Sequence, residues 1–125
     1  FIMNSKLTMV LRLLLGLILL VFGANKFFQF MPMPSMEGPP ADFMGALGNT
    51  GYMFPLIALT EIVAGVLLLF NKWKGLALIF ASIISVNIVL FHLALAPAGI
   101  GLAAVVAILN IILIYANWNK FKTLF

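Results

Sequence analysis

Residues 53–70 read MFPLIALTEIVAGVLLLF, an apolar stretch whose one charged residue, Glu61, sits near its middle. As a helix rising about 1.5 Å per residue, a run of this length approaches the roughly 30 Å of a bilayer's hydrocarbon core. A carboxylate at that depth costs on the order of 2.5–3.5 kcal/mol on insertion scales. Such a residue needs a compensating partner or a role, so the first question is what Glu61 faces.

The rest of the chain agrees with a membrane reading. Of 125 residues, 65% are hydrophobic and 8% charged, whereas soluble domains are about half apolar and about a quarter charged. The length suits a single transmembrane domain, 1–125, with no separate soluble catalytic domain. The net charge of +4 does not point to nucleic acid, because the basic residues lie at the ends of apolar runs and form no patch interleaved with exposed aromatics. Cysteine is absent, which excludes thiolate catalysis, disulfide exchange and iron–sulfur ligation by this chain. The first apolar run is too long for the core of a cleaved signal peptide and no small-residue cleavage site follows it, so it reads as a retained span. The chain opens Phe1-Ile2-Met3, which leaves the natural start open.

Apolar runs place four transmembrane helices at about 7–28, 53–70, 74–96 and 99–117. Residues 29–52 differ in kind: Pro32, Pro34, Pro39, Pro40, Gly38, Gly45, Gly48 and Gly51 forbid one continuous helix. Ala41 to Leu47 suits a short interfacial turn or helix with Phe43, Met44 and Leu47 toward lipid. The tight connections Asn71-Lys72-Trp73-Lys74 and Ala96-Pro97-Ala98-Gly99 make successive helices antiparallel neighbours. The fold expected is therefore an all-α membrane protein, a four-transmembrane-helix antiparallel bundle. Lys6, Arg12, Lys72, Lys74, Lys120 and Lys122 then fall on one side, which the positive-inside rule makes cytoplasmic, with both termini. The long Pro/Gly-rich loop, with Glu37 and Asp42 and no Lys or Arg, falls on the extracytoplasmic side; Lys26 alone departs from the pattern. Tyr52, Phe54, Trp73, Tyr115 and Trp118 sit at span ends, as interfacial aromatics do.

Helical periodicity aligns Arg12, Gly16, Gly23 and Lys26 on the first span, Ala58, Glu61 and Gly65 on the second, and Gly99, Ala103, Ala107, Asn110 and Asn117 on the fourth. Small-and-polar stripes of this kind mark helix–helix interfaces in membranes. On the third span Ser82, Ser85 and His92 share a face, and Asn87 points away from them. Depths counted from the outer ends let Lys26, Glu61, His92 and Asn110 meet in the outer half of the bundle, given the reach of a lysine stem. Arg12 lies near the cytoplasmic face, beyond contact with Glu61, and snorkelling to headgroups is its simplest role. Each site residue carries two readings. Glu61 is a structural ion pair or a ligand and proton group; His92 is a hydrogen-bonded interface residue or a ligand contact; Lys26 divides the same way; the asparagines serve as interhelical glue. Met31, Met33, Met36 and Met44 lack nearby His or Cys and do not make a copper site, and a single His supplies at most one haem ligand. No metal and no covalent cofactor is expected.

Two segments carry a family resemblance. The first span reads Leu11-Arg12-Leu13-Leu14-Leu15-Gly16-Leu17 and then Gly23-Ala24-Asn25-Lys26-Phe27; the second reads Thr60-Glu61-Ile62-Val63-Ala64-Gly65-Val66-Leu67-Leu68-Leu69. This resembles the DoxX family of small four-helix membrane proteins, over nearly the whole chain. The Asn71–Lys74 hairpin departs from it, since relatives often carry Gly and Arg there. The resemblance makes Arg12, Lys26, Glu61 and His92 the family-matching polar positions. It implies a multi-pass protein of the bacterial inner membrane, a subunit or accessory of a membrane complex with redox associations rather than an enzyme on its own. The family takes its name from a subunit of an archaeal thiosulfate:quinone oxidoreductase, which makes a quinone the sharper ligand expectation, near Glu61, His92 and Lys26. Expected partners are the lipid bilayer and other membrane subunits or further copies of the chain. Two alternatives stand beside it: a structural or assembly subunit docked on another membrane protein, and a small proton or solute transporter using Glu61.

Overall fold

In the computed structural model, residues 4–30 and 36–122 are described; Met31, Pro32, Met33 and Pro34 of the first loop lie outside them. Six α-helices and one 3-10 turn account for the architecture, with no strand among the described residues. Helix α1 (Ser5–Phe28) starts where the Asn4 side chain accepts from the Lys6 amide at 2.8 Å, and ends at Gln29, whose φ of 51° is left-handed. Helix α2 (Pro39–Asn49) opens on two prolines, which fit a first turn whose amides have no helical partner. It extends beyond the short segment expected at Ala41 to Leu47. The Thr50 hydroxyl donates to Leu47 O at 2.7 Å and accepts from the Met53 amide at 3.1 Å, and Gly51 turns the chain at φ 79°. Helix α3 (Met53–Leu69) leaves α2 at 90°.

A short turn with left-handed residues Asn71 and Trp73 leads into α4 (Lys74–Ala94). The 3-10 turn Pro97–Gly99 leads into α5 (Ile100–Ala116), and a one-turn α6 (Trp118–Phe121) follows. Helices α1, α4, and α5 with its preceding turn are each long and apolar enough to cross a membrane. At 17 residues α3 reaches that criterion only jointly with the bent α2, so the described residues hold three or four candidate spans. About 1.5 Å per residue gives α3 roughly 26 Å, the lower end of what a span needs.

The helices close into a ring: α1 packs on α3, α3 on α4, α4 on α5, and α5 back on α1. Leu15, Leu19, Leu68, Leu78 and Leu113 fill its interior. Ile83, Val86, Ile108 and Ile111 stand on the outer surface, the inverse of a soluble protein's pattern. The tightest contact joins α1 and α3, antiparallel, along a seam of small residues. A Cβ at Gly65 would lie 2.7 Å from both Gly16 O and Leu20 N, and a Cβ at Gly23 would lie 3.0 Å from Ala58 O. Only glycine permits that approach, which is how membrane helices gain packing when lipid and side chain are equally apolar. The same ring gathers Arg12, Lys72, Lys74 and Lys120 at one end of the bundle, while Lys26, α2 and the 3-10 turn occupy the other.

Candidate functional site

The glycine seam positions the polar cluster. Gly23 lets α3 approach so closely that a Cβ there would sit 3.0 Å from Glu61 Cβ. One turn further along α1, Lys26 reaches the carboxylate: Nζ lies 2.6 Å from Glu61 Oε1. The Glu61 side chain is 7% exposed and that of Lys26 is 21% exposed. The ammonium therefore sits at the rim and the carboxylate inside, so the partner that Glu61 requires comes from the neighbouring helix. Burial makes such a pair strong in attraction and expensive in lost hydration, and removing one partner strands the other.

His92 approaches from α4. Its Nδ1 lies 3.1 Å from Ala96 O. A carbonyl can only accept, so Nδ1 carries a proton, and in the neutral ring Nε2 is then the acceptor nitrogen. The ring rests on the backbone of Gly99, where a Cβ would come within 2.8 Å of Cε1. It also meets Phe91 edge-on with centroids 5.1 Å apart, and Phe91 in turn touches Phe43 of α2 at 5.4 Å. Thus α2 is tied to the histidine's end of the bundle through one aromatic pair. Phe43 itself stays 44% exposed, and Met44 and Leu47 are half-buried.

Lys26, Glu61 and His92 line one half-open cavity of ≈ 140 Å³ between α1, α3, α4 and α5. Its remaining walls are apolar, among them Phe22, Ile84, Ile88, Leu102 and Val106. A dry cavity of about 150 Å³ is known to accept a benzene-sized ring. The arrangement offers a six-membered ring an apolar slot with a cation, an anion and an imidazole at its edges. Such convergence of a few polar groups on an apolar cavity is the usual form of a ligand site.

The other expected residues fall elsewhere. Asn110 does not line the cavity; its amide donates to Ser82 Oγ at 3.0 Å across the α4–α5 contact. Helical depth alone put it level with Glu61, but its position around α5 turns it toward α4. Arg12 does not simply snorkel: its guanidinium donates to Leu68 O and Leu69 O in the last turn of α3, where Leu68 O also accepts from the Asn71 amide at 3.3 Å. Asn87 is exposed and donates to Ile83 O at 2.8 Å on its own helix, so it does not act as the interhelical glue expected of it. Among the described residues no three His, Asp or Glu come together as a metal site. Two features had no clear signal in the sequence. The use of Gly99 as the seat of His92 depends on the turn between α4 and α5, and the apolar cavity walls are indistinguishable from ordinary leucine-rich helix.

No curated protein and no solved structure matches the chain. The model of the DoxX family matches residues 7–93, which include Arg12, Lys26, Glu61 and His92. That match covers more than half of the sequence, takes in α1 to α4 up to the cavity histidine, and assigns the chain to the DoxX family of membrane proteins.

Proposed function

We propose that this DoxX protein crosses the bacterial inner membrane four times, with both ends and the Lys72 hairpin in the cytoplasm, and binds a quinone-type ring in the cavity at Lys26, Glu61 and His92. The observation that carries the reading is the apolar cavity of ≈ 140 Å³ edged by those three groups. The orientation draws support from the clustering of Arg12, Lys72, Lys74 and Lys120 at one end of the ring. In this role the chain is a subunit or accessory of a membrane oxidoreductase, with electrons delivered by a partner subunit.

A bound quinone supplies two carbonyl oxygens that each take up a proton on two-electron reduction. The protein's part is to bind, orient and protonate. The Lys26 ammonium, tethered by Glu61, donates a hydrogen bond to one carbonyl and favours the charge that develops there. His92 is held in one tautomer by Ala96 O, so its Nε2 is presented to accept a proton and pass it on. The leucine, isoleucine and phenylalanine walls lower the local polarity and strengthen each of these interactions.

The test is extraction. Wild-type protein purified from native membranes in mild detergent should retain a quinone or similar lipophilic molecule at near-stoichiometric level by mass spectrometry. Glu61→Gln should lose it while remaining folded by circular dichroism. Equal retention in both, or none in the wild type, refutes the ligand reading.

One observation favours a structural alternative. Lys26 and Glu61 already neutralise one another at 2.6 Å beside the glycine seam, which is what a static brace between α1 and α3 requires. On that reading Glu61→Gln lowers stability or assembly with a partner subunit and changes no ligand content.

A further inference from the structure

Below the ion pair, two buried side chains hold polar atoms with no hydrogen-bond partner: Ser85 Oγ and Asn110 Oδ1. Their residues are 4% and 3% exposed. The direction of the Asn110 amide follows from its neighbours. Ser82 Oγ commits its single proton to Leu78 O at 2.7 Å, so toward Asn110 it can only accept, and it takes Nδ2–H at 3.0 Å. Oδ1 therefore faces the other way and still requires a donor. Ser85 lies three residues beyond Ser82 on α4, where Cβ atoms stand about 5–6 Å apart, and its hydroxyl still requires an acceptor. A donor and an acceptor thus stand unmated near the α4–α5 contact.

Neither residue lines the cavity, but each lies beside one of its wall residues along its own helix. Ser85 follows Ile84, and Asn110 lies one helical turn from Val106; Ile84 and Val106 are cavity walls. On the far side Leu15, Leu68, Leu78 and Leu113 are fully buried and offer no polar side-chain atom. A buried polar group without a partner costs about 1–3 kcal/mol. One water, accepting from Ser85 and donating to Asn110, relieves two such groups.

We infer that Ser85 Oγ and Asn110 Oδ1 hold one buried water between α4 and α5, behind the cavity wall formed by Ile84 and Val106. This goes beyond the quinone reading and holds whatever ring, if any, the cavity takes.

Water-edited solid-state NMR on the full chain in liposomes tests the site, with water protons as the probe. Asn87 is the reference, because its amide faces outward on the same helix, seven residues or about 10 Å from the end of α4. Polarisation from water should build up on the Asn110 side chain several-fold faster than on Asn87, and Ser85→Ala should slow Asn110 to the Asn87 rate. Asn110 no faster than Asn87 in the wild type would overturn the inference and leave a direct Ser85–Asn110 hydrogen bond in its place. Undiminished transfer in a folded Ser85→Ala protein would equally overturn it. If Ser85→Ala fails to fold, the wild-type comparison alone decides. Quinone content in Glu61→Gln is read separately, so neither result can be mistaken for the other.

Discussion

Uncoupling Lys26 from Glu61 is the perturbation that most directly probes the centre of this molecule. The charges are 2.6 Å apart, with the carboxylate side 7% exposed and the ammonium side 21% exposed. At an effective dielectric constant of about 20, Coulomb attraction at this separation is roughly 6 kcal/mol, and most of it offsets the hydration both groups gave up. The net worth of the pair is therefore small, while the cost of breaking it is large. Lys26→Met leaves a lone carboxylate facing Phe22 and Ile84 across the cavity and should destabilise the bundle by about 3–5 kcal/mol, the range for a buried pair that has lost one partner. Glu61→Gln leaves the ammonium near the rim, where it can turn outward along its stem, and should cost less, about 1–2 kcal/mol. In the double variant no charge is left unmatched, so its cost should fall well below the sum, with a coupling of about 2–4 kcal/mol. Reversible unfolding in bicelles, followed by steric trapping, measures all four proteins. A coupling within about 0.5 kcal/mol of zero, the level of additivity for independent sites, would show that the two charges do not meet in the bilayer, and the reasoning built on that pair would fall with it.

Other perturbations test the surrounding frame. Gly65→Ala, whose Cβ meets Gly16 O and Leu20 N at 2.7 Å, should destabilise by about 1–3 kcal/mol, whereas Gly101→Ala, with nothing within 4 Å, should be neutral or slightly stabilising; equal thermal shifts for the two would refute the seam. Arg12→Met removes a charged donor from Leu68 O and Leu69 O and should cost about 1.5–3 kcal/mol in the same unfolding assay. Gly99→Ala should push the His92 ring off its seat and break the Nδ1–Ala96 bond, visible as a changed imidazole tautomer signal in 15N NMR; an unchanged signal contradicts the geometry. Phe43→Ala should raise hydrogen exchange across residues 39–49 while leaving the exchange of α4 unaltered, because α2 holds to Phe91 by that one ring pair.

The sequence alone determined the helices and the identity of the polar residues that matter. Apolar runs of span length, broken by prolines and short turns, leave a chain in lipid no choice but helix, since every backbone amide there must be satisfied internally. The same logic singled out Glu61, because a carboxylate inside such a run is conspicuous without any structure. Periodicity also turned Asn87 away from Ser82, Ser85 and His92 and aligned the glycines of α1 with Lys26. What the sequence could not supply was the rotation of each helix about its axis relative to its neighbours. Residues at equal depth meet only if they also face one another, and that is decided by the packing of whole faces. The glycine seam sets the α1–α3 approach and so delivers Lys26 to Glu61; the turn at Pro97–Gly99 sets α5 and so gives His92 its seat and sends Asn110 to Ser82 instead of to the cavity. Arg12 follows the same rule, since its carbonyl partners are created only where α3 ends against α1. Local pattern fixed which groups are expensive to bury, and only the tertiary arrangement determined which of them offset one another.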